Sequence, residues 1–427
     1  MPNLAQLLSS KSSAEYKRVF DLCREIASEL DSVDEVYVVG GVVRDLILGR
    51  RPGDIDLSVV GDARLFAKAL ASRLGASSPV ESQFLTYKIP TSSLGIEGIS
   101  SIDVVNARTE TYAGPAALPD ITPAGIEDDL KRRDFTVNSM GISLNNDGWG
   151  TLVDPMKGFG DIMRKRIKVH TYSSYELDPT RIFRTVRYAV RLGFSIDTYT
   201  TELISTSLKH IDRLSGARVR HEFELMLTEP KRVEILQRSE EMGLLSAISP
   251  GLRIGSKALQ VMESQAESGV LSSDLSDLLA IATFGLNDAE ARQTVDRFDG
   301  SAGWSESITG NAELAKHVAI LDQDNLRPSE VAEILTPIPL ASVRAYIVVG
   351  PPLPRRDRLV DYIDRIRLVK PNLTGDDLLA IGIPQGPIIG QLIEVIRRAK
   401  LDGQVNSKQE ELEFAKSRLP GFLTDPS

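Results

Sequence analysis

The spacing of hydrophobic and polar residues divides the chain into an N-terminal part of mixed periodicity and a longer helical part. Over residues 1–168, short apolar runs of strand length alternate with helix-length segments, separated by many Gly and Pro residues. From about residue 172 onward, apolar positions follow the spacing of an amphipathic helix. The strand-like runs are residues 36–39, 54–60, 102–105 and 135–142, and the helical segments include 181–192, 218–227, 328–335, 355–369 and 387–399.

This pattern predicts an α/β domain, with a mixed sheet and flanking helices, followed by all-α domains. With 427 residues the chain is too long for one hydrophobic core, and we expect about two to four domains. Two Pro- and Gly-rich stretches, residues 250–255 and 350–354, are candidate joints between helical parts. The predicted domains are residues 1–168, 169–235, 236–349 and 350–427.

Composition and charge exclude several classes of protein. The chain is 42% hydrophobic and 26% charged, which argues against a disordered or fibrous protein. No apolar run approaches a membrane span, and residues 1–10 lack signal-peptide order, so we expect a cytoplasmic protein without membrane contact. The single cysteine, Cys23, excludes a disulfide framework and a thiolate metal site. The net charge of −9 argues against a coat of nucleic acid, but a local basic stripe suffices to bind folded RNA.

A pair of glycines lies where a predicted strand turns into a predicted helix. Gly40 and Gly41 follow the apolar run at residues 36–39, and Arg44 lies in the first turn of the helix. Glycine lets backbone N–H groups approach a phosphate, and the helix N-terminus and Arg44 add positive charge. The segment is therefore a candidate triphosphate cradle, with a simple tight turn as the alternative, since it matches neither GxGxxG nor a P-loop.

Two aspartates lie on the next predicted strand. Asp54 and Asp56 are two residues apart, so their side chains project from the same face. Carboxylates held this closely repel each other unless a divalent cation neutralises them, and Mg²⁺ prefers such oxygen ligands. Asp103 is the candidate third carboxylate for two-metal phosphoryl transfer, and Glu110 is a weaker competitor. Solvated aspartates on a strand surface are the alternative interpretation.

A charged segment at residues 127–134 leads directly into the apolar run 135–142, which is predicted to carry its arginines into the domain. Arg132 is a candidate ligand of phosphate or ribose, and Asp134 is a candidate partner of a guanidinium. Asn138 is a candidate donor to the sugar. A solvated surface run is the alternative interpretation of this segment.

The segment that begins at Asp178 is predicted to form a helix with both ends marked. Asp178 and Pro179 form an N-cap and N1 pair, and Gly193 supplies the C-terminal cap. Arginines recur on one face and apolar residues on the other, which indicates a packed helix with a basic stripe. Plain capping by Asp178 and solvation of the arginines are the alternative. The stripe consists of Arg181, Arg184, Arg187 and Arg191.

Together these motifs resemble the class II tRNA nucleotidyltransferases and their relatives, the bacterial poly(A) polymerases. The resemblance covers residues 36 to about 230 in order and spacing, and residues 374–403 resemble a tail found in many members. It implies an α/β nucleotidyltransferase head, then an all-α neck, body and tail in a seahorse arrangement, with one active site between head and neck. The motifs are Gly40-Gly41-x-x-Arg44-Asp45, Asp54-x-Asp56, Arg132-Arg133-Asp134-Phe135-Thr136-x-Asn138, Asp154-Pro155 to Gly160 with Asp161, and Asp178-x-x-Arg181.

The resemblance also implies ligands and roles. Asp54 and Asp56 would bind Mg²⁺, and Asp103 would be the third catalytic acid. The implied substrates are the 3′ end of tRNA with CTP and ATP, and no obligate protein partner is evident. Nucleotide contacts are implied for Gly40, Gly41, Arg44, Arg132, Asp178, Arg181, Arg184 and Arg187, and Arg397, Arg398 and Lys400 are candidate tRNA contacts, with a solvated helix end as the alternative.

Base selection by Asp178 and Arg181 is chemically sound. A carboxylate accepts from the exocyclic amine of cytosine or adenine, and a guanidinium donates to the adjacent ring nitrogen. UTP and GTP present an acceptor to the carboxylate and a ring N–H to the arginine. Buried polar groups left unpaired in this way reject an analogue by roughly 10⁴ or more.

Full addition of C, C and A is the function that we expect from the sequence. The ATP step is less strongly indicated, because residues 109–123 contain no basic residue where many members of the family have one. Leu177 precedes Asp178 where the family usually has Glu. CC-only or A-only addition, a poly(A) polymerase, a non-catalytic tRNA- or nucleotide-binding protein and a transferase that adenylylates a small molecule are the alternatives. The presence of all three carboxylates argues against an inactive protein.

Overall fold

The structure is a computed structural model that describes residues 4–10, 14–82, 85–91, 99–264 and 274–423. The chain divides into two compact units. One comprises Met1–Leu214 with Glu241–Ala247, and the other comprises Ser215–Glu240 with Ile248–Ser427. The first unit contains the β-sheet and the second is largely helical, which confirms the predicted order of an α/β part followed by helices.

The first unit is built on a mixed β-sheet. Its strands are β1 (Val33–Val39), β2 (Ile55–Gly61), β3 (Val80–Glu81), β4 (Thr86–Pro90), β5 (Ser101–Asn106), β8 (Gly141–Ser143) and β9 (Leu152–Val153). Within the described residues their order is β3-β4-β5-β2-β1-β8-β9, and only the β2 and β5 pair is parallel. Two ribbons are separate from this sheet, an antiparallel hairpin of β6 (Arg108–Tyr112) with β7 (Pro119–Pro123), and a parallel pair of β10 (Arg166–Ile167) with β11 (Ser195–Ile196).

Helices of the first unit flank the sheet or follow it in the chain. They are α1 (Ala5–Ser10), α2 (Ala14–Glu29), α3 (Gly41–Ile47), α4 (Ala63–Leu74), α5 (Ile126–Lys131), α6 (Gly158–Met163), α7 (Ser174–Leu177), α8 (Thr180–Leu192) and α9 (Thr198–Ser207). Short 3-10 segments lie at Thr136–Asn138 and Leu208–Arg213.

The predicted helix with marked ends is α8. The helix begins at Thr180, one residue later than predicted, so Pro179 and not Asp178 takes the N-cap position, but the carboxylate of Asp178 still accepts a hydrogen bond from the backbone N–H of Thr180 at 3.2 Å. The helix ends at Gly193, whose φ of 69° lies in the left-handed region that glycine adopts without strain. Its apolar residues are buried, including Ile182, Phe183, Val186, Ala189 and Val190.

The predicted strand at residues 135–142 is wrong in its first half. Residues Thr136–Asn138 form a 3-10 turn, and β8 begins only at Gly141. The hydroxyl of Thr136 donates to the buried Asp161 at 2.7 Å, and Gly158 packs against the same turn. These contacts from a distant segment override the strand pattern of the apolar run.

In its described residues the second unit is largely helical, with a 3-10 segment at Ile366–Leu368. The α-helices from residue 215 onward are α10 (Gly216–Thr228), α11 (Arg232–Glu241), α12 (Leu244–Ile248, which except for Ile248 belongs to the first unit), α13 (Ser256–Glu263), α14 (Leu275–Ala282), α15 (Asp288–Phe298), α16 (Ala302–Leu321), α17 (Pro328–Leu335), α18 (Leu340–Val349), α19 (Asp357–Asp364), α20 (Gly375–Ala380), α21 (Pro387–Leu401) and α22 (Lys408–Leu423). Both predicted joints, at residues 250–255 and 350–354, are non-helical.

The compact units do not follow the predicted domain boundaries. The first unit extends to Leu214, so it includes α7, α8 and α9, which the sequence assigned to the neck. In the second unit, one apolar cluster contains Leu314 and Tyr346 together with Leu359 and Leu401, on both sides of the boundary predicted at residue 349. The division at residues 168, 235 and 349 stays a prediction.

No single helix in the described ranges is long and apolar enough to cross a membrane. The helices Pro328–Leu335 and Leu340–Val349 reach the necessary length and hydropathy only when taken together, and the pair is bent by 108°.

Gly158→Ala is expected to destabilise the first unit, because a Cβ at this position would lie 2.0 Å from the carbonyl oxygen of Thr136. Relieving such an overlap typically costs about 1 to 3 kcal/mol. We expect a lower midpoint of thermal unfolding, measured by circular dichroism on the full chain. Gly53→Ala is the matched control, since nothing lies within 4 Å of a Cβ there. Equal midpoints for both variants would contradict this packing.

Candidate active site

The candidate site lies on the two parallel strands of the sheet. The register of β2 and β5 places Asp56 directly beside Asp103. Residues paired in this way project from the same face of a sheet. Asp54 lies just before β2 and is exposed, and its carboxylate accepts a hydrogen bond from the hydroxyl of Ser100. The structure thus brings Asp56 and Asp103 together, with Asp54 two residues away along the chain.

Burial and mutual repulsion disfavour ionisation of these carboxylates. The pKa of Asp56 is raised to about 6, chiefly by burial and also by the charges of Asp103 and Asp54, against the opposing charges of Arg133 and Lys88. Burial also raises the pKa of Asp103. Asp103 Oδ1 is buried and has no hydrogen-bond partner within the described part of the chain. A cation between the two carboxylates would relieve this repulsion and give that oxygen a partner.

The donor set fits a divalent cation held by few protein ligands. Asp56 and Asp103 supply neighbouring carboxylates, and the charge of Asp54 affects the pKa of both. Among the described residues, however, no group of three or more His, Cys, Asp or Glu side chains is arranged to hold a metal ion. This combination suits a hard cation that keeps water and substrate phosphate oxygens as ligands, rather than one bound in an all-protein cage.

The glycine turn lies against these carboxylates. Gly40 has a φ of 72°, in the region that glycine tolerates and other residues rarely adopt. A Cβ at Gly40 would lie 2.8 Å from Nη1 of Arg133 and 3.6 Å from Oδ2 of Asp56. At Gly41 the nearest atom to a Cβ would be Arg44 Nη2 at an ordinary 3.5 Å. Of the two predicted cradle glycines, Gly40 is therefore the one that close packing requires.

Arg44, the predicted phosphate ligand, is buried in a polar network. Its Nε and Nη2 donate to the carboxylate of Asp45, both at 2.9 Å, and its Nη1 donates to Oδ1 of Asn138 at 2.7 Å. Asn138 Nδ2 donates in turn to Asp134 at 3.0 Å. The amide expected to reach a sugar is thus used inside the protein, so that expectation is not supported. A phosphate contact of Arg44 stays a prediction.

Asp134 connects this network to α8. Its Oδ2 accepts from Nε and Nη2 of Arg184 at 2.9 and 2.7 Å, and its Oδ1 accepts from Asn138 and from the backbone N–H of Phe135. Burial alone would raise the pKa of Asp134, but the charge of Arg184 and the hydrogen bonds from Asn138 and Arg184 lower it to about 2. Asp134 therefore orients a guanidinium, as the sequence indicated, and that guanidinium belongs to Arg184.

The predicted base-reading pair lies at the start of α8. Asp178 Oδ2 is 3.9 Å from Nε of Arg181, and their side chains are 24% and 13% exposed. Arg181 Nη1 donates to the hydroxyl of Ser174 at 2.9 Å, and its Nη2 donates to the backbone carbonyl of Arg132 at 2.9 Å. The pair is therefore adjacent, partly accessible and anchored to two other segments.

The arginine stripe of α8 varies in exposure along its length. The Arg184 side chain is 31% exposed, whereas Arg187 is 4% exposed, so a fully solvated stripe is the wrong interpretation. Tyr188 lies within the stripe, at i+4 from Arg184, and its ring was not singled out from the sequence. The guanidinium carbons of Arg44, Arg184 and Arg191 lie 5.4, 5.3 and 5.2 Å from the centre of the Tyr188 ring.

A buried carboxylate holds the two arginines that follow α5. Asp129 has no exposed side-chain surface and accepts from Arg132 Nε and Nη2 at 3.0 and 2.7 Å and from Arg133 Nη2 at 3.0 Å. It also accepts from the hydroxyl of Ser58 on β2 and the backbone N–H of Arg108 on β6, both at 3.3 Å. Burial would raise the pKa of Asp129, but the charges of Arg133 and Arg132 outweigh it and lower the pKa.

Glu110, the weaker candidate for the third carboxylate, has other partners. Its side chain is 8% exposed, and its Oε1 accepts from Arg132 Nη1 at 2.7 Å and from Arg108 Nη2 at 3.3 Å. Its Oε2 accepts from the hydroxyl of Tyr112 at 2.9 Å. Arg132 is consequently held by Glu110 and Asp129, and its predicted contact with a nucleotide stays a prediction.

Two cations near the carboxylates were not singled out from the sequence. Lys88, on β4, is paired in register with Asp103. Arg133 approaches Gly40, and both Lys88 and Arg133 lower the pKa of Asp56. Only non-local strand pairing brings Lys88 to Asp103, so the local pattern carried no signal for it.

The predicted tRNA contacts of the tail do not form an open basic patch. Arg397 Nε donates to the carbonyl of Val369 at 3.1 Å, and Lys400 Nζ donates to Glu411 at 3.0 Å. The Glu411 side chain has no exposed surface, so a Lys400 engaged with RNA would leave a buried charge unpaired. These contacts argue against a phosphate contact of Arg397 and Lys400. Arg398, whose side chain is 45% exposed, stays a prediction.

Comparison with protein families gives two matching segments. Residues 36–168 match the poly A polymerase head domain, and residues 193–254 match a probable RNA- and SrmB-binding site of polymerase A. The first segment contains the glycine turn, the three carboxylates and the arginines at 132 and 133.

Curated relatives and solved structures cover most of the chain. The chain is 32% identical to the A-adding tRNA nucleotidyltransferase of Geobacter sulfurreducens over 89% of its own length, but it spans only 44% of that protein. It is 27% identical to the A-adding enzyme of Halalkalibacterium halodurans, with 97% and 95% of the two chains covered. A CCA-adding enzyme in apo form superposes with a TM-score of 0.77 at 26% identity over 97% and 99% of the chains. A Thermotoga maritima CCA-adding enzyme complexed with tRNA superposes with a TM-score of 0.70 at 25% identity over 98% and 99%.

Asp134→Asn is expected to lower stability at neutral pH and to matter less in acid. Because the pKa of Asp134 is lowered to about 2 in the folded state, its ionised form stabilises the fold above the unfolded pKa near 4, and this contribution is lost as pH falls toward 2. The shift corresponds to about 2 to 3 kcal/mol at pH 7. Thermal midpoints of wild type and variant should therefore differ more at pH 7 than at pH 3. The exposed Asp147→Asn is the control, and a difference independent of pH would contradict the assigned ion pair.

Proposed function

The chain belongs to the class II tRNA nucleotidyltransferase and poly(A) polymerase family, and on this premise we propose that it adds nucleotides to the 3′ end of tRNA without a nucleic-acid template. One observation carries the proposal. Asp56 and Asp103 lie side by side on parallel strands, in the same compact unit as the Asp178 and Arg181 pair. The two neighbouring carboxylates support phosphoryl transfer, and the Asp178 and Arg181 pair supports the choice of base.

The carboxylates support a metal-dependent reaction. We assign Asp54, Asp56 and Asp103 to Mg²⁺, which when bound would neutralise negative charge on the triphosphate. Asp103 Oδ1, buried and without a partner in the described residues, is the oxygen that we assign to the cation, and the same carboxylate would help to deprotonate the attacking 3′ hydroxyl.

The surrounding arginines prepare the site before substrate enters. Asp129 fixes Arg133 beside Asp56 and Gly40, where its charge offsets part of the carboxylate repulsion. Asp134 fixes Arg184 on α8. Because these contacts exist in the protein alone, little reorganisation is needed when the nucleotide binds.

The relatives of this chain differ in which nucleotides they add. A-adding relatives favour addition of the terminal A alone. CCA-adding relatives, including structures in complex with ATP and with CTP, favour the full C, C and A addition expected from the sequence, and a CC-adding relative also matches. Addition of A to a tRNA that ends in CC is common to A-adding and CCA-adding enzymes, so we propose it as one activity of this chain. A cytoplasmic location stays an expectation.

The proposal is tested with tRNAs that end at the discriminator base, at C and at CC, each incubated with a single nucleoside triphosphate. We expect A to be added to the CC end, and C added to the shorter ends would extend the activity to full CCA synthesis. Asp56→Asn should slow every addition by about 100-fold or more and weaken Mn²⁺ binding, because one metal carboxylate is lost. Asp34→Asn, exposed on the neighbouring strand, is the control. No addition to any of these tRNAs by wild type would rule out the proposed function.

Asp178→Asn separates helix capping from base reading. Asn caps almost as well as Asp, so stability should fall by at most about 1 kcal/mol. The amide can rotate to donate to O6 of GTP, or to O4 of UTP, so kcat/KM for ATP over GTP, and for CTP over UTP where C is added, should fall by about 100-fold or more. Thermal unfolding measures the change in stability. Kinetics with one nucleoside triphosphate at a time measure the discrimination, on tRNA ending in CC for A addition and on tRNA ending in the discriminator base for C addition. If discrimination survives in Asp178→Asn and also in Arg181→Ala, this helix does not read the base.

A further inference from the structure

The β6–β7 hairpin carries a polar network on one face. Arg108, Glu110 and Tyr112 alternate with Thr109 and Thr111 along β6, so the first three share a face and the threonines lie on the other. Glu110 links the side chains on its face of the hairpin, because it accepts hydrogen bonds from Arg108 and from the Tyr112 hydroxyl. A hairpin of this kind has no apolar core of its own, so its polar face needs partners elsewhere in the unit.

The first partner is the segment that follows α5. Glu110 Oε1 accepts from Arg132 Nη1 at 2.7 Å, and both side chains are largely buried, at 8% and 18% exposed. A short charge-assisted hydrogen bond in such surroundings fixes the arginine in one position. Arg132 also donates to Asp129, so its guanidinium is held on two sides.

The backbone of the same residue anchors the base-reading arginine. The carbonyl oxygen of Arg132 accepts from Nη2 of Arg181 at 2.9 Å. Glu110 therefore acts on Arg181 through one intermediate residue: it holds the Arg132 side chain, and the Arg132 backbone holds Arg181.

A second connection runs from the tip of the hairpin. The backbone N–H of Ala116 donates to the carbonyls of Glu176 and Leu177 at 3.3 and 3.1 Å. Leu177 immediately precedes Asp178. Ala116 has a φ of 59°, which is unusual for a residue with a Cβ and indicates that the tip is held in this conformation by its contacts. The hairpin thus contacts the chain immediately before Asp178 and also contacts Arg132, whose carbonyl accepts from Arg181.

The Tyr112 hydroxyl lies within electrostatic reach of that pair. Burial and the charge of Glu110 raise the pKa of Tyr112 to about 12, while the charge of Arg181 lowers it and that of Asp178 raises it. The charges of Arg181 and Asp178 thus act on the Tyr112 hydroxyl, which donates to Glu110.

We propose that Glu110, held by Tyr112, is a positioning residue that sets the placement of Arg181 relative to Asp178 and thereby the choice of base. The inference rests on the proposed function, because it assigns the hairpin to the base-reading step of that reaction. It also explains why an acid outside the carboxylate pair of β2 and β5 is buried among three donors. A catalytic role for Glu110 is disfavoured, since both of its oxygens already accept from Arg132, Arg108 and Tyr112.

The test compares Glu110→Gln, Tyr112→Phe and Thr111→Val in the full chain, with tRNA ending in CC as acceptor. Glu110→Gln removes the negative charge to which Arg132, Arg108 and Tyr112 donate, so we expect KM for ATP to rise by about tenfold and the preference for ATP over GTP to fall by a similar factor. Its kcat with ATP should stay within about threefold of wild type, because the carboxylates and their cation are untouched. Tyr112→Phe should shift the same quantities in the same direction by a smaller factor. Thr111→Val, exposed on the opposite face, should leave them unchanged.

Two kinetic outcomes overturn the inference. Wild-type KM and wild-type preference in Glu110→Gln would show that the contact does not position Arg181. A collapse of kcat at unchanged KM would assign Glu110 to the chemistry itself. A loss of thermal stability alone, with unchanged KM and preference in the folded fraction, would mean a merely structural role.

The experiments distinguish a failure of this inference from a failure of the proposed function. If wild type extends no tRNA, the proposed function fails, and calorimetric titration of ATP into wild type and Glu110→Gln then decides the inference. Weaker binding by the variant supports it, and equal binding overturns it. If Glu110→Gln does not fold, Tyr112→Phe decides, because it removes only a hydroxyl: a shift in KM and preference supports the inference, and wild-type values overturn it.

Discussion

The geometry of the candidate site depends on the burial of one carboxylate, Asp129. It accepts from Ser58 on the strand that carries Asp56, from the backbone of β6, and from Arg132 and Arg133. An unpaired charge at this position would cost several kcal/mol, so the folded state retains Asp129 only with all these donors in place. One interaction therefore fixes the carboxylate strand, the hairpin and both arginines relative to each other.

The charges around Asp129 account for the behaviour of the carboxylate pair. Arg108 and Arg132 share Glu110, and Arg132 and Arg133 share Asp129, so three arginines are set against two acids. The positive charge of Arg133 lowers the pKa of Asp56, yet burial and the neighbouring carboxylates still raise that pKa to about 6. The protein alone thus compensates the carboxylates only in part. The remaining negative charge is what a divalent cation can neutralise, and the same charge balance keeps Arg133 in place before the cation arrives.

Local periodicity explains which features could be predicted from the sequence. The strand that carries Asp56 and the end of α8 at Gly193 depend only on neighbouring residues, and both agree with the structure, although Asp54 lies just before the strand and Pro179 takes the N-cap position. The turn at Thr136–Asn138 and the pairing of Lys88 with Asp103 depend on residues far away in the chain, and the sequence pattern missed both. Asp129 is intermediate: Ile126 and Leu130 are buried on α5, and their spacing puts Asp129, but not its neighbours in the acidic run, on the same inward face. The charged residues on both sides of Asp129 hide this signal in the sequence.

The anchoring of Arg181 is compatible with its proposed reading of the base, although both use the same guanidinium. Two of its N–H groups donate to Ser174 and to the carbonyl of Arg132, which hold the side chain in one orientation. A guanidinium carries further N–H donors in a fixed plane, and Nε is the atom that faces Asp178. A base can therefore be read by the remaining donors without breaking either anchor. The proposed reading suits arginine, because its planar fork holds several donors in a fixed arrangement, whereas the three N–H groups of a lysine ammonium all diverge from one atom.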